Sequence, residues 1–254
     1  MGLRKNWRTI ITNINAFVIK INTTESGASN NDQFQFTGAE GNYNVVAKQS
    51  NLVVATFNDL EDEETITLPS SGVYVLEITA KEVNGFNRIQ FANTGDKLKI
   101  TDIKNWGNIV WSSFFTSFSG CANMLVTAIV APNLTSVGNM QQMFSNAILV
   151  NPFVDNWNVV NVTNMRFLFL GANLANPNIS NWNVINVTNM QSILSNSNLS
   201  TENLTACYEN WSLLNLQQNV QFSAGSVKYS ASGATGRQKL IDDFNWTITD
   251  GGQV

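Results

Sequence analysis

Residues 156–180 read NWNVVNVTNMRFLFLGANLANPNIS and residues 181–200 read NWNVINVTNMQSILSNSNLS, so NWNV and then NVTNM recur at a step of 25. A decayed copy precedes them, APNLTSVGNMQQMFSNA at 131–147, which sets Asn133 against Asn158 and Asn183, and Val137 against Val162 and Val187. The same step carries Met140 onto Met165 and Met190, and Phe144 onto Phe169 and Leu194. A weaker copy, NWGNIVWSSFFTSFSGC at 105–121, puts Phe114, Phe118 and Cys121 opposite Met140, Phe144 and Ala147 after a step of 26. A period of 20–29 residues is the mark of a leucine-rich-repeat-type solenoid, in which each unit buries its apolar face only by stacking on its neighbours.

Within one unit Val162, Met165, Leu168, Phe169 and Ala172 follow the spacing of one apolar helix face, which predicts a short helix with Thr163 or Asn161 as N-cap and Gly171 near its end. Ile179 through Trp182 and Val184, bounded by Pro177 and Asn186, predicts a short strand. Fourteen asparagines lie between 151 and 200, where Asp155 and Arg166 are the sole charged residues. They recur in register with large apolar residues, which disordered or prion-like tracts lack. The columns Asn133/Asn158/Asn183 and Asn139/Asn164/Asn189 are therefore expected to be structural ladders, each amide bonding the turn backbone of the next coil. Trp157 and Trp182 share a column and are expected to anchor the core.

The pattern N-W-N-V-x-N-V-T-N-M, completed by large apolar and then small residues, resembles the 25-residue repeat of BspA-like leucine-rich-repeat surface proteins, found in bacterial adhesins, mycoplasma surface proteins and bacteriophage virion genes. The resemblance covers about 101–254. Family repeats usually carry Asp where Asn158 and Asn183 stand and aromatic or Met residues at Ile193 and Leu194, so the 181–200 copy has drifted. Beyond 200 the period fails, and the segment looks like the family's C-terminal cap: a helix over 202–215, a strand near 219–222, a helix over 232–243 and a strand around Trp246–Ile248.

Upstream, AFVIKIN, QFQFTG, YNVVAK, LVVATF, ETITLP, VYVLEITA, NRIQFAN and KLKIT alternate with Ser/Gly/Asn/Asp clusters, which predicts an antiparallel β-sandwich over 16–101. SGVYVLEITA at 71–80 resembles a strand of PKD-like or immunoglobulin-like modules. The expected fold class is therefore α+β: an arm over 1–15, a sandwich over 16–101 that also covers the open end of the stack without a flexible linker, a solenoid over 102–200 and a cap over 201–254.

Composition narrows the chemistry. Of 254 residues 13% are charged, against ~25% in ordinary soluble domains, and there is no histidine. Imidazole-based triads, His–metal sites and His general bases are excluded. A net charge of −4 lacks the basic excess of nucleic-acid binders. No run of ~18 apolar residues spans a membrane. Cys121 and Cys207 read as small buried residues, neither a disulfide framework nor a metal pair. The acidic run Asp59, Glu61, Asp62, Glu63, Glu64 lacks EF-hand spacing and reads as a solvated hairpin loop, and Asp242, Asp243 and Asp250 read as helix-end and turn carboxylates rather than a metal site. Asp155 is the one acid between 110 and 200, so no carboxylate pair for glycoside hydrolysis forms on the repeats. No catalytic residue, metal or cofactor is expected.

What remains is a non-catalytic recognition protein. The resemblance, together with a start at Met1 that carries no export signal, points first to a bacteriophage virion surface protein, a fibre, spike or decoration. Its expected partners are other virion proteins and a host-surface glycan or protein, as an oligomer, without nucleic acid or membrane insertion. A bacterial cell-surface adhesin and a purely structural virion scaffold are the alternatives. Leu3, Trp7, Ile10 and Ile14 lie on a basic, amphipathic N-terminal segment expected to act as an assembly arm.

Overall fold

The computed structural model describes residues 13–82 and 85–254. Of the expected arm, Leu3, Trp7 and Ile10 lie outside the described residues, and Ile14 is exposed. The chain is mostly β, with a mixed six-stranded sheet and two C-terminal helices.

Strands β1 (Phe17–Asn22), β3 (Asn42–Gln49), β4 (Leu52–Glu61), β6 (Val73–Ala80), β7 (Ile100–Asn105) and β8 (Leu125–Val126) form the sheet in the order β4-β3-β6-β1-β7-β8. All neighbours are antiparallel except β7 and β8. β1 is central, and Phe17, Val18 and Ile19 are buried in succession, as a strand covered on both faces requires. β3 alternates instead, sending Tyr43, Val45 and Ala47 inward. The second layer is far smaller than a sandwich sheet: β2 (Gln33–Gln35) pairs β5 (Thr65–Thr67), with Phe34 opposite Ile66. NRIQFAN, expected as a strand, makes only an isolated bridge at Arg88, and its end serves the repeats instead: Phe91 N–H donates to Ser117 O at 2.9 Å and Asn93 N–H to Ser119 O at 3.0 Å. β7 runs across position 101, and β8, from repeat sequence, extends the same sheet.

Loop 27–35 is organised by a buried charge. Lys99 Nζ donates to the carbonyls of Ser29, Asn30 and Gln33 at 2.9–3.0 Å and lies 3.5 Å from Asp96, both side chains fully buried. Asp96 in turn accepts the backbone N–H groups of Ser29 at 3.0 Å and Gln35 at 2.8 Å. Each charge is thus paired and hydrogen-bonded, the condition for burying it.

Beyond β8 the copies lie on one another in parallel register, with Asn139 bridged to Asn164 and Asn164 to Asn189. The short helix does not form. In 165–172 the amides divide between two tasks: Met165, Phe167, Phe169 and Gly171 donate to Asn189, Gln191, Ile193 and Ser195 of the next copy at 2.9–3.0 Å, while Leu168, Leu170 and Ala172 donate three residues back at 3.1–3.2 Å. The same alternation joins 140–146 to 164–170 and 114–120 to 139–145. An α-helix is prevented because two columns take left-handed backbone: Thr116, Gln142, Phe167 and Ser192 with φ of 51–59°, and Gly120, Asn146, Gly171 and Asn196 with φ of 56–75°. The expected strand at 179–184 is also replaced by turns.

Inside, the columns stack. Met140, Met165 and Met190 are fully buried. Phe118, Phe144 and Phe169 stack with ring centroids 6.0 and 5.6 Å apart, and Trp157 lies 6.4 Å from Trp182 at an interplanar angle of 13°. Trp106 meets both Trp111 of the sheet junction and Trp157 of the repeat, so one core runs from sheet to stack.

The cap follows its expected order: α1 (Thr201–Trp211), capped by Ser200, then β9 (Gln221–Ser223), a 3-10 turn (Ala231–Gly233), α2 (Ala234–Phe244) and β10 (Thr247–Thr249). β9 continues the stack, since Met190 N–H donates to Gln221 O and Leu194 N–H to Ser223 O, and β10 lies parallel on β9. Cys121 and Cys207 are free and buried, and burial pushes both thiols up.

Candidate functional site

The stack has two kinds of asparagine. Those of the expected ladders accept within their own turn: the Oδ1 of Asn139, Asn164 and Asn189 accepts the backbone N–H two residues on, at 2.9–3.0 Å, and Asn133, Asn158 and Asn183 do the same at 3.1–3.4 Å, while Asn164 Nδ2 also donates to Gln141 Oε1 of the preceding copy at 3.0 Å. These are Asx turns, and they correct the expectation that the columns bond the turn backbone of the next coil; the one side-chain bridge they make among the described residues runs from Asn164 to the Gln141 side chain. Backbone bridges come from another column, whose Asn161 the sequence suggests as an N-cap: Asn161 Nδ2 donates to Thr135 O at 2.9 Å, Asn186 Nδ2 to Val160 O at 2.8 Å and Gln217 Nε2 to Ile185 O at 2.9 Å. The missed signal was the NVT asparagine itself, repeated like the others.

Trp157 and Trp182 are buried, and Trp182 Nε1 donates to Val154 O at 2.9 Å. Trp111, Tyr43 and Tyr74 are buried too. The acidic residues of 59–64 fasten loops: Asp62 accepts Gly41 N–H at 2.8 Å, Glu63 accepts Gly38 N–H at 2.9 Å, and Asp59 pairs with Lys81. Asp250 accepts the Tyr208 hydroxyl at 2.6 Å and Arg237 Nε at 2.7 Å. Burial works to raise the Asp250 carboxyl, but the hydrogen bonds from Arg237, Tyr208 and the Gly252 N–H outweigh it and hold it below the ordinary range. Among the described residues no three acidic or thiol side chains stand close enough to hold a metal, and no helix is long and apolar enough to cross a membrane.

The outward side of the turns carries the surface chemistry. Gln141–Gln142, Arg166–Phe167 and Gln191–Ser192 occupy equivalent places in consecutive copies, ~4.8 Å apart along the stack. Beyond them a cleft of about 340 Å³ opens between the last copy and the cap, lined by Gln191, Ser192, Gln221, Phe222, Ser223, Thr247 and Thr249. Its polar lining is amide and hydroxyl throughout. Arg166 is the one cation between Lys104 and Lys228. Its guanidinium carbon lies 4.2 Å from the centroid of the Phe167 ring, and its Nε is buried without a hydrogen-bond partner.

No curated protein and no solved structure matches the chain. Residues 112–232, from the first clear copy into the cap, match the family described as "Mycoplasma protein of unknown function, DUF285", a BspA-like, leucine-rich-repeat-type family.

Proposed function

We propose that this chain is a non-catalytic recognition protein of a biological surface, in which residues 102–200 form a short solenoid that holds a broad, nearly uncharged amide and hydroxyl face in fixed register. The observation that carries this reading is the parallel pairing of consecutive copies, which sets Gln141, Arg166 and Gln191 in one row and puts the cleft beside Gln221 and Thr247 on the same stack. Neutral amides and hydroxyls arranged on a rigid scaffold bind through many weak, directional hydrogen bonds, and a preorganised scaffold loses little entropy on binding. The protein needs no cofactor in this role, and its partners are a host-surface glycan or protein and neighbouring copies or particle proteins.

Two settings fit the role. The match to a Mycoplasma family favours display on a bacterial cell surface. Display on a bacteriophage particle, as fibre, spike or decoration, is the other, with an assembly arm at the N-terminus. Immunogold labelling of intact cells and of purified particles separates them. Binding of the purified full chain to intact bacteria, read by flow cytometry, tests the role itself. Saturable binding is expected, and no binding to any bacterial surface, with the chain incorporated only into the interior of a particle, would make it a scaffold.

A further inference from the structure

Arg166 is out of place in its surroundings. It is the one cation in a segment of more than a hundred residues, its guanidinium makes no ion pair or hydrogen bond among the described residues, and its Nε is shielded from water without an acceptor among them. The shielded Nε–H is a cost of ~1–3 kcal/mol that the fold carries here, and it is the two terminal nitrogens, without an acceptor among the described residues, that are free to meet a partner. The position is also strained, because Phe167 beside it holds φ of 59°. The same conformation recurs at Thr116, Gln142 and Ser192, so it belongs to the stack, and what sets Phe167 apart is a bulky ring held there beside the cation. The Phe167 ring lies 4.2 Å from the guanidinium carbon, so the two side chains stack as one cation–π unit in the row between Gln141–Gln142 and Gln191–Ser192.

We propose that Arg166 and Phe167 form the anchor of a subsite for a carboxylated saccharide, such as a sialic or uronic acid residue. The proposal rests on the recognition role above and names its ligand class. Guanidinium matches carboxylate in a planar fork, which fixes both the charge and the orientation of the ligand. The ring edge of Phe167 and the neighbouring Gln142 and Ser192 meet the apolar faces and hydroxyls of a sugar. The next saccharide units run toward the cleft, where Gln221, Ser223, Thr247 and Thr249 supply hydroxyl and amide partners. One isolated cation suits one carboxylate on a neutral polyhydroxylated framework. A nucleic acid or a polyacidic peptide needs several cations together, and this face has one.

The full chain is titrated by calorimetry with a sialic-acid-terminated trisaccharide, a trigalacturonate, the methyl esters of both, and a hexaglutamate peptide. At least one free acid is expected to bind, its ester to bind about tenfold or more weakly, and R166A to lose binding while R166K keeps part of it. F167A weakens binding without abolishing it. A melting temperature for R166A equal to that of the parent shows that the loss is not unfolding. Equal binding of acid and ester, binding unchanged in R166A, binding of hexaglutamate alone, or no binding of either acid overturns the proposal. Flow cytometry of R166A on intact bacteria separates the two levels: parent and variant binding equally leaves the recognition role standing without this subsite, and no binding by the parent removes the role itself.

Discussion

The N-terminal sheet and the repeat stack both bury a continuous aromatic core, yet they satisfy their polar groups with opposite materials. In the sheet region the segment 27–35 is held by two buried full charges, Lys99 and Asp96, each bonded to carbonyls or amides distant in sequence. In the stack the same task falls to neutral groups repeated at a fixed step: an Asx turn, an outward amide bridge and backbone N–H groups that alternate between the own turn and the next copy. Charges can serve where each occurs once. A column of identical charges ~5 Å apart costs repulsion along the whole stack, and the columns of this chain avoid that cost with amides.

That contrast can be broken from either side. The largest effect is expected from Lys99→Met, which leaves Asp96 buried without its cation and should cost about 3–5 kcal/mol in chemical denaturation. Its counterpart in the stack, Arg166→Gln, should stay within about 1 kcal/mol of the parent, since relief of the buried unpaired Nε–H offsets the lost stacking on Phe167. Next comes the triple change N139D/N164D/N189D. Each aspartate keeps the acceptor of its Asx turn but adds a charge to one column, so the melting temperature should fall and recover in about 1 M salt. The same change at Asn139 or Asn189 alone should be nearly silent, while N164D also loses the Asn164 Nδ2–Gln141 Oε1 bond. Gly171→Ala comes third, at about 1–2 kcal/mol: φ there is 69°, and an added Cβ would stand 2.5 Å from Asn146 Oδ1 of the preceding copy. The smallest effect is confined to the cap. The folded state holds the Asp250 carboxyl below its ordinary value, so its contribution is full above that value and is lost as pH falls through the depressed one. Acid should therefore loosen contacts of Tyr208 with Arg237 and Asp250 in the low-pH range, seen as Tyr208 ring shifts by NMR, and Asp250→Asn should remove that pH dependence.

Much of this was legible in the sequence because stacking demands equivalence. NVTNM recurs, so the columns Met140/Met165/Met190 and Phe118/Phe144/Phe169 could be aligned before any coordinate, and the loss of the period after 200 marked a cap whose four main elements appear in the expected order. The backbone conformation was not legible. Spacing of i, i+3, i+6, i+7 fits a helix and also fits a ribbon of turns, and the left-handed column that decides between them holds Thr116, Gln142, Phe167 and Ser192, which share no residue type. Its companion column, Gly120, Asn146, Gly171 and Asn196, did carry the usual Gly/Asn signal, and Gly171 alone was read as a helix end. The rung at Phe91–Asn93 was hidden because it contributes backbone and almost no motif. Arg166 was hidden by the approach that excluded catalysis, since a scan for paired charges passes over a single unpaired one.

The measurement that reaches the centre of this account is a long-range HNCO experiment, which detects coupling through the hydrogen bond itself. For an isotope-labelled chain, the amide nitrogens of Met165, Phe167 and Phe169 should couple to the carbonyl carbons of Asn189, Gln191 and Ile193. Couplings from these three amides to carbonyls four residues earlier would show a helix in each unit and contradict the parallel turn stack.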